Sequence, residues 1–143
     1  MDSPTASAVR EPGRQSTVRS VMRPAVTTVE RHAHLAAAAF LMRRAGDTAV
    51  VVTTDDGRRP IAIITETDII DVVADGRDVN DVRIEDLVGP DPVTVQTDTP
   101  VNEAAELMLS AHIHHVPVVD NDRLVGIVDI SDACRFLLDT ARI

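Results

Sequence analysis

One stretch of the chain decides its fold: Ala62-Ile63-Ile64-Thr65-Glu66-Thr67-Asp68, which returns 64 residues later as Gly126-Ile127-Val128-Asp129-Ile130-Ser131-Asp132. Each copy places a short apolar run directly before a polar segment that can begin a helix. Working outward, a shift of 66 residues superposes Leu41-Met42 on Leu107-Met108. The chain is therefore predicted to contain two copies of one structural unit.

Within each copy the residue pattern changes in the same order. In the first copy a strand near Val26 to Val29 leads to an alanine-rich helix from His34 to Ala45. The apolar runs Ala49 to Thr53 and Ile61 to Ile64 then flank a polar turn with glycine, which is typical of a hairpin. A last helix is predicted to be capped by Thr67 or Asp68 and to run to about Asp75. The predicted class is α/β (α+β), with tandem β-α-β-β-α repeats packed about a pseudo-twofold axis, because a unit of about 60 residues buries little surface alone.

The predicted domain boundaries follow from these patterns. Residues 1–17 are rich in Ser, Thr, Pro and Gly and show no apolar period, so we expect a disordered N-terminal tail. Residues 18–78 form the first repeat and residues 79–143 form the second, and together they make one pair.

Composition excludes several classes of protein. The 143 residues carry a net charge of −9, with 23 acidic and 14 basic residues, and only 1% are aromatic. Such a chain repels nucleic acid backbones and has no platform for stacking bases, so no nucleic acid partner is expected. The longest alanine-rich stretch, Leu35 to Met42, is too short to span a membrane, and the N-terminus has no apolar signal region. A single cysteine forms no disulfide within the chain. We therefore expect a cytoplasmic protein without a membrane partner.

The order of these motifs resembles the CBS domain pair, also called the Bateman module. The resemblance spans about Val18 to Leu138 and depends on Val21-Met22-Arg23-Pro24, on His114-His115-Val116-Pro117-Val118-Val119-Asp120, and on the two strand-to-helix stretches quoted first. It implies a regulatory module that binds an adenosyl ligand such as AMP, ADP, ATP or S-adenosylmethionine in the cleft between repeats, and Mg²⁺ could accompany a nucleotide. It also implies a stand-alone bacterial protein that forms a homodimer and acts on an effector protein.

The resemblance also assigns the polar groups of a ligand site. In the family pattern a Thr or Ser stands three positions before an Asp at the end of the last strand, and the first copy keeps both as Thr65 and Asp68. The hydroxyl and the N–H groups of a helix start suit a phosphate, and the carboxylate suits a ribose diol. The competing interpretation is structural: Asp68 caps the helix and Thr65 ends the strand.

The second copy departs from this pattern. Asp129 replaces the threonine, while Asp132 matches Asp68. A carboxylate about 4 Å from a phosphate costs about 1 kcal/mol even in water. The second site is therefore predicted to be empty, bridged by a metal, or suited to a ligand without phosphate, such as a nucleoside with a cationic sulfonium.

Adenine recognition in the family comes from backbone groups and apolar side chains at the starts of strands. By this resemblance the positions are Thr28, Thr48, Ala49, Val50 and Ile64 in the first copy and His114, His115, Val116 and Pro117 in the second.

Two other functions compete with ligand sensing. His112 and His114 would share one side of an extended segment, but a metal site needs further ligands, so we predict no resident metal and keep a histidine-based metal carrier as a minor alternative. Cys134 lies within the last helix, and no nucleophile elbow or glycine-rich phosphate loop is present, so we predict no catalytic residues and no enzyme activity. The second competing function, and the main alternative to ligand sensing, is a ligand-free interaction module.

Overall fold

The chain folds into two compact units, each with a three-stranded sheet. The computed structural model describes residues 16–89 and 92–141. Of these, unit 1 contains 16–24, 94–120 and 126–141, and unit 2 contains 25–89, 92–93 and 121–125.

Unit 2 has the element order predicted for the first repeat. Its elements are β1 (Thr28–Glu30), α1 (Leu35–Ala45), β2 (Ala49–Thr53), β3 (Pro60–Thr65) and α2 (Glu66–Ala74), followed by a 3₁₀ turn at Ile84–Asp86. Strand β2 is central: it pairs parallel with β1 and antiparallel with β3. The predicted hairpin is confirmed, and helix α1 makes the crossover that parallel strands require.

The core of unit 2 lies between the sheet and its helices. All five residues of β2 are buried, and four of them are β-branched, as is typical of a central strand that is covered on both faces. Leu35 of α1 and Val50 of β2 are fully buried, and Ile64 of β3 is 2% exposed. This packing holds the ends of the three strands in a set register.

Unit 1 repeats the same order. Its elements are a 3₁₀ turn at Val18–Ser20, β4 (Val95–Gln96), α3 (Val101–Ala111), β5 (His115–Asp120), β6 (Arg123–Asp129, of which residues 126–129 lie in this unit) and α4 (Ile130–Ala141). Strand β5 is central, and β4 pairs with it in parallel. The mixed α/β class is therefore confirmed in both units. Of the helices in the described ranges, none has both the length and the hydropathy needed to cross a membrane.

The predicted N-terminal tail falls largely outside the described residues, which begin at Ser16. Ser16 and Thr17, assigned to the tail by sequence, are paired within unit 1. The Ser16 carbonyl accepts a hydrogen bond from the Val101 N–H at 3.0 Å, and Thr17 forms an antiparallel bridge with Pro100. Pairing with the start of α3 thus begins two residues earlier than the sequence pattern indicates.

Candidate functional site

The fold brings the predicted first-copy residues to one edge of the unit 2 sheet. Because β1 and β2 are parallel and β3 is antiparallel to them, the starts of β1 and β2 lie beside the end of β3. Ala49 pairs with Thr65 and Val50 with Ile64, and the Thr48 carbonyl accepts a hydrogen bond from the Glu66 N–H at 3.1 Å. We call this region the first sheet edge; it comprises Thr27, Thr28, Asp47, Thr48, Ala49, Val50, Ile64, Thr65, Glu66 and Asp68.

Thr65 and Asp68 bond to each other at the start of α2. Thr65 is the N-cap, with an extended φ of −116°, so the helix begins at Glu66. The predicted N-cap at Thr67 or Asp68 is therefore wrong by two or three residues. In this capping-box arrangement, Asp68 Oδ2 accepts hydrogen bonds from the Thr65 N–H at 2.8 Å and the Thr65 hydroxyl at 3.3 Å. Among the described residues, none donates to the other oxygen, Asp68 Oδ1, so one acceptor of the oriented carboxylate stays open.

The remaining predicted residues of this edge divide by exposure. Thr28 and Thr48 are exposed, whereas Ala49, Val50 and Ile64 are at most 6% exposed and pack into the core. The latter three can offer a ligand little beyond their backbone groups.

Sequence reasoning missed Asp47 at this edge. Gly46 ends α1 in the left-handed region, with φ of 71°, and the chain then turns back toward the sheet. Asp47 Oδ2 accepts a hydrogen bond from the Thr27 hydroxyl at 3.2 Å. The signal in the sequence is the glycine stop directly before Asp47. Together with Glu66 and Asp68, this residue makes the first sheet edge acidic.

The second sheet edge, in unit 1, consists of His114, His115, Val116, Pro117, Asp129 and Asp132. The Ile130 N–H donates to the His114 carbonyl at 2.8 Å, which repeats the contact between Glu66 and Thr48. Val116 and Pro117 are buried, so their side chains belong to the core. Both edges thus share one backbone arrangement.

Asp129 distinguishes the second sheet edge from the first. Its Oδ1 accepts hydrogen bonds from the N–H groups of Ser131 and Asp132, at 2.6 and 3.3 Å, and so caps α4. Its Oδ2 lies 3.8 Å from His115 Nε2, whose side chain is 10% exposed. Asp132 does not take part in the cap: its Oδ1 accepts from Arg135 at 3.0 Å. A carboxylate of the chain therefore occupies the helix start that would face a phosphate.

The histidine segment is not arranged as the metal hypothesis requires. His112 ends α3 in the left-handed region, with φ of 57°, so residues 112 to 114 are not one extended strand. Within residues 16–89 and 92–141, no group of three or more His, Cys, Asp or Glu side chains is placed to hold a metal ion. Cys134 is a free thiol of intermediate exposure on α4.

Comparison with known proteins places these units in a family. The protein-family model of the CBS domain matches residues 18–75 and 84–139. Hypoxic response protein 1 of Mycobacterium tuberculosis is 33% identical over 127 residues, which cover 88% of each chain. The crystal structure of Hypoxic Response Protein I with two coordinated zinc ions has 32% identity and a TM-score of 0.74, and the match covers 84% of this chain and 98% of that one.

Two further solved structures are similar and contain adenosyl ligands. The CBS domain protein PAE2072 from Pyrobaculum aerophilum, complexed with AMP, is 28% identical with a TM-score of 0.80 and matches 90% of this chain and 100% of that one. The CBS domain pair of protein MJ0100, in complex with 5′-methylthioadenosine and S-adenosyl-L-methionine, is 26% identical with a TM-score of 0.77 and matches 90% and 98%.

The matches to other curated relatives extend over only part of those proteins. The first three such alignments cover 48%, 54% and 64% of the relatives' own lengths. The family model, in contrast, covers both repeats of this chain. The chain therefore belongs to the CBS domain family.

Proposed function

We propose that the protein is a regulatory, non-catalytic module that senses an adenosyl ligand at the first sheet edge and transmits the bound state to an effector protein. Similar CBS proteins whose structures contain AMP, or 5′-methylthioadenosine and S-adenosylmethionine, support this ligand class. A ligand regulates such a module only if it binds one conformation more tightly than another.

The observation that carries the proposal is the geometry of Asp68. Thr65 donates two hydrogen bonds to Oδ2 and so fixes the carboxylate, while Oδ1 has no donor among the described residues. A ribose presents two adjacent hydroxyl donors, and a carboxylate oxygen held in place accepts them with little loss of side-chain entropy. Asp47 and Glu66 add negative charge nearby, so a phosphorylated ligand would bind here with Mg²⁺ or an arginine as its counter-charge.

At the second sheet edge we propose a different preference. Asp129 already accepts the N–H groups at the start of α4, and its charge opposes an incoming phosphate. A ligand without phosphate, or one with a cationic sulfonium, avoids both obstacles. The two edges would then discriminate between nucleotides and uncharged or cationic nucleosides.

A thermal-shift panel tests the first edge. AMP, ADP, ATP, S-adenosylmethionine and 5′-methylthioadenosine are compared with and without Mg²⁺. A ligand at 100 times its Kd raises the free energy of unfolding by about 2.7 kcal/mol. We expect at least one adenosyl compound to raise Tm, and we expect Asp68→Ala to abolish that increment.

The control for this variant is Asp86→Ala. Asp86 accepts the Arg83 N–H at 3.1 Å at the start of a 3₁₀ turn, so its removal also deletes an N-terminal cap in unit 2 but away from the first sheet edge. The ligand-induced increment should survive in Asp86→Ala. If no adenosyl compound raises Tm, the ligand-free interaction module replaces this proposal. If the ligand-induced rise in Tm persists in Asp68→Ala, the ligand binds at a site other than the first sheet edge.

Calorimetric titration tests the second edge. Asp129→Thr restores the family residue, and Asp129→Asn keeps a good N-cap while it removes the charge. We expect both variants to bind AMP with higher stoichiometry or affinity than the parent. If neither variant gains AMP binding, the argument from charge at Asp129 is wrong.

A further inference from the structure

The two sheet edges differ at both members of one corresponding pair of residues. In unit 2, Ala49 at the start of β2 pairs with Thr65 at the end of β3. The corresponding residues of unit 1 are His115, which begins β5, and Asp129, which ends β6. A small, uncharged pair in one repeat is therefore a base and an acid in the other.

His115 and Asp129 lie close enough to interact electrostatically. Asp129 caps α4 through Oδ1, and its other oxygen, Oδ2, lies 3.8 Å from His115 Nε2. The His115 side chain is 10% exposed and that of Asp129 is 25% exposed, so water and salt screen the two charges less than at an open surface. The separation is too long for a direct hydrogen bond, and the strength of the contact depends on the charge of the imidazole.

The charge of His115 determines how the second sheet edge meets a phosphate. Histidine is the side chain whose charge ordinarily changes between about pH 5 and pH 8. With a neutral imidazole, the Asp129 carboxylate opposes an incoming phosphate at the start of α4. With a protonated imidazole, the pair is neutral overall and the repulsion is offset. Two unit charges about 4 Å apart in water correspond to about a fivefold change in an equilibrium constant.

Other elements of unit 1 also carry charged or titratable groups, which are Asp132 and Arg135 of α4, Glu103 and Glu106 of α3, and Arg23, His112 and His114 of the connecting segments. Asp132 and Arg135 form an ion pair at 3.0 Å. Strand β4 carries no charged residue. Because histidine is the residue type that changes charge near neutral pH, His112 and His114 are the groups from which experiment must separate His115.

We propose that the His115–Asp129 pair makes the ligand preference of the second sheet edge depend on pH. With His115 protonated, this edge accepts a phosphorylated adenosyl ligand. With His115 neutral, it favours a ligand that is uncharged or carries a cationic sulfonium. The inference rests on the proposed function, because it concerns adenosyl binding at the same edge. The first sheet edge, with Ala49 and Thr65 at these positions, lacks the pair.

Calorimetric titration with three ligands of different charge tests the proposal. Asp68→Ala serves as the background, so that the first sheet edge does not contribute. AMP, 5′-methylthioadenosine and S-adenosylmethionine carry a phosphate, a neutral thioether and a sulfonium at the same ribose position. The phosphate itself titrates at about pH 6, so each response is measured relative to His115→Gln in the same background. Between about pH 8 and pH 6 we expect the relative affinity for AMP to rise about fivefold, that for S-adenosylmethionine to fall about fivefold, and that for 5′-methylthioadenosine to change by less than about twofold.

Matched variants separate His115 from the neighbouring imidazoles. His112→Asn and His114→Gln each remove one titrating group from the segment before β5, and asparagine is tolerated in the left-handed conformation of residue 112. Both variants should keep the opposite pH responses of AMP and S-adenosylmethionine that His115→Gln removes. Circular dichroism confirms that each variant is folded. If His112→Asn or His114→Gln removes the responses instead, they belong to a neighbouring histidine and the proposal is wrong.

A measurement without ligand tests the pair by itself. The protonation of the His115 imidazole is followed by NMR in the parent and in Asp129→Asn, which keeps a good N-cap but removes the charge. We expect the midpoint of His115 protonation to move to lower pH in this variant, because a carboxylate 3.8 Å away stabilises the charged imidazole.

The outcomes distinguish this inference from the proposed function. The inference is overturned if the NMR midpoint is the same in both proteins, if the Asp68→Ala background binds AMP at no pH, or if His115→Gln responds to pH as the background does. In each of these cases, a ligand-induced rise in the Tm of the parent that depends on Asp68 still supports sensing at the first sheet edge. Failure of that rise contradicts the proposed function and leaves the NMR result on the pair unaffected.

Discussion

Gly126 is a position where replacement by alanine tests the packing of unit 1. A Cβ built at Gly126 would lie 2.6 Å from Met22 Sδ and 3.1 Å from the Arg23 carbonyl oxygen. The Arg23 backbone is held in place, because its N–H donates to the Ile127 carbonyl at 2.9 Å and its carbonyl accepts from the Ile127 N–H at 3.0 Å. The first repeat has Ala62 at the corresponding position. The close approach of the segment before β1 thus requires glycine in the second repeat.

The expected cost follows from two opposing effects. Overpacking of a well-filled site costs about 1–3 kcal/mol. Replacement of glycine by alanine also restricts the unfolded chain, which offsets about 0.4–1 kcal/mol of that cost. Gly126→Ala should therefore lower the free energy of unfolding by about 0.5–2 kcal/mol. Because 1 kcal/mol shifts the Tm of a domain of this size by about 4 °C, Tm should fall by about 2–8 °C.

Urea unfolding followed by circular dichroism measures the effect. Gly89→Ala is the control, since a Cβ there meets no atom of the described residues within 4 Å and Gly89 does not have a positive φ. The double variant with Met22→Ala removes the side-chain clash but keeps the contact with the Arg23 carbonyl, so part of the loss should be recovered relative to Met22→Ala alone. If Gly126→Ala is as stable as the parent, the close approach of this backbone does not constrain the fold.

Two further predictions concern local backbone and turn chemistry. Gly46 and His112 end helices α1 and α3 in the left-handed region, with φ of 71° and 57°. Gly46→Ala should therefore lower the free energy of unfolding by about 1 kcal/mol, and His112→Gly should raise it by up to about 1 kcal/mol. Urea unfolding measures both changes. A hydrogen bond from the Thr54 side chain lowers the pKa of Asp56 below 3.8, and one from the Arg58 backbone contributes. The turn is therefore stabilised above that pH and loses this contribution as the pH falls through the lowered pKa, and Thr54→Val should move the pKa of Asp56 upward in a carboxyl NMR titration.

The repeat and most of its elements could be predicted because they depend on local patterns. The strand over Ala49–Thr53 has the predicted bounds, and the helix predicted from His34 to Ala45 is observed over Leu35–Ala45. Apolar periodicity and β-branched runs predict these elements because they are local properties of the chain. The observed start of α2 lies earlier in the chain than the predicted one. Thr65 becomes the N-cap only because Asp68 accepts a hydrogen bond from the Thr65 N–H and the Thr48 carbonyl accepts one from the Glu66 N–H.

The candidate site was predicted in part. Sequence identified Thr65 and Asp68 as a pair and Asp129 as the departure from the pattern, because these residues stand at fixed offsets in the two copies. It missed Asp47, which reaches the edge only because the glycine stop of α1 turns the chain back. It also assigned Thr17 to the tail, since pairing across more than 80 residues leaves no local signal.

The sequence by itself determined the family, the two repeats and the residue types available at each edge, because periodicity and repeat spacing are properties of the chain order. Only the tertiary structure decided that one Asp68 oxygen receives no hydrogen bond from the described residues. It also decided that the Asp129 carboxylate caps the start of α4 and lies near His115. These outcomes depend on strand register and on which helix side the core covers, and both are set by contacts between residues far apart in the chain.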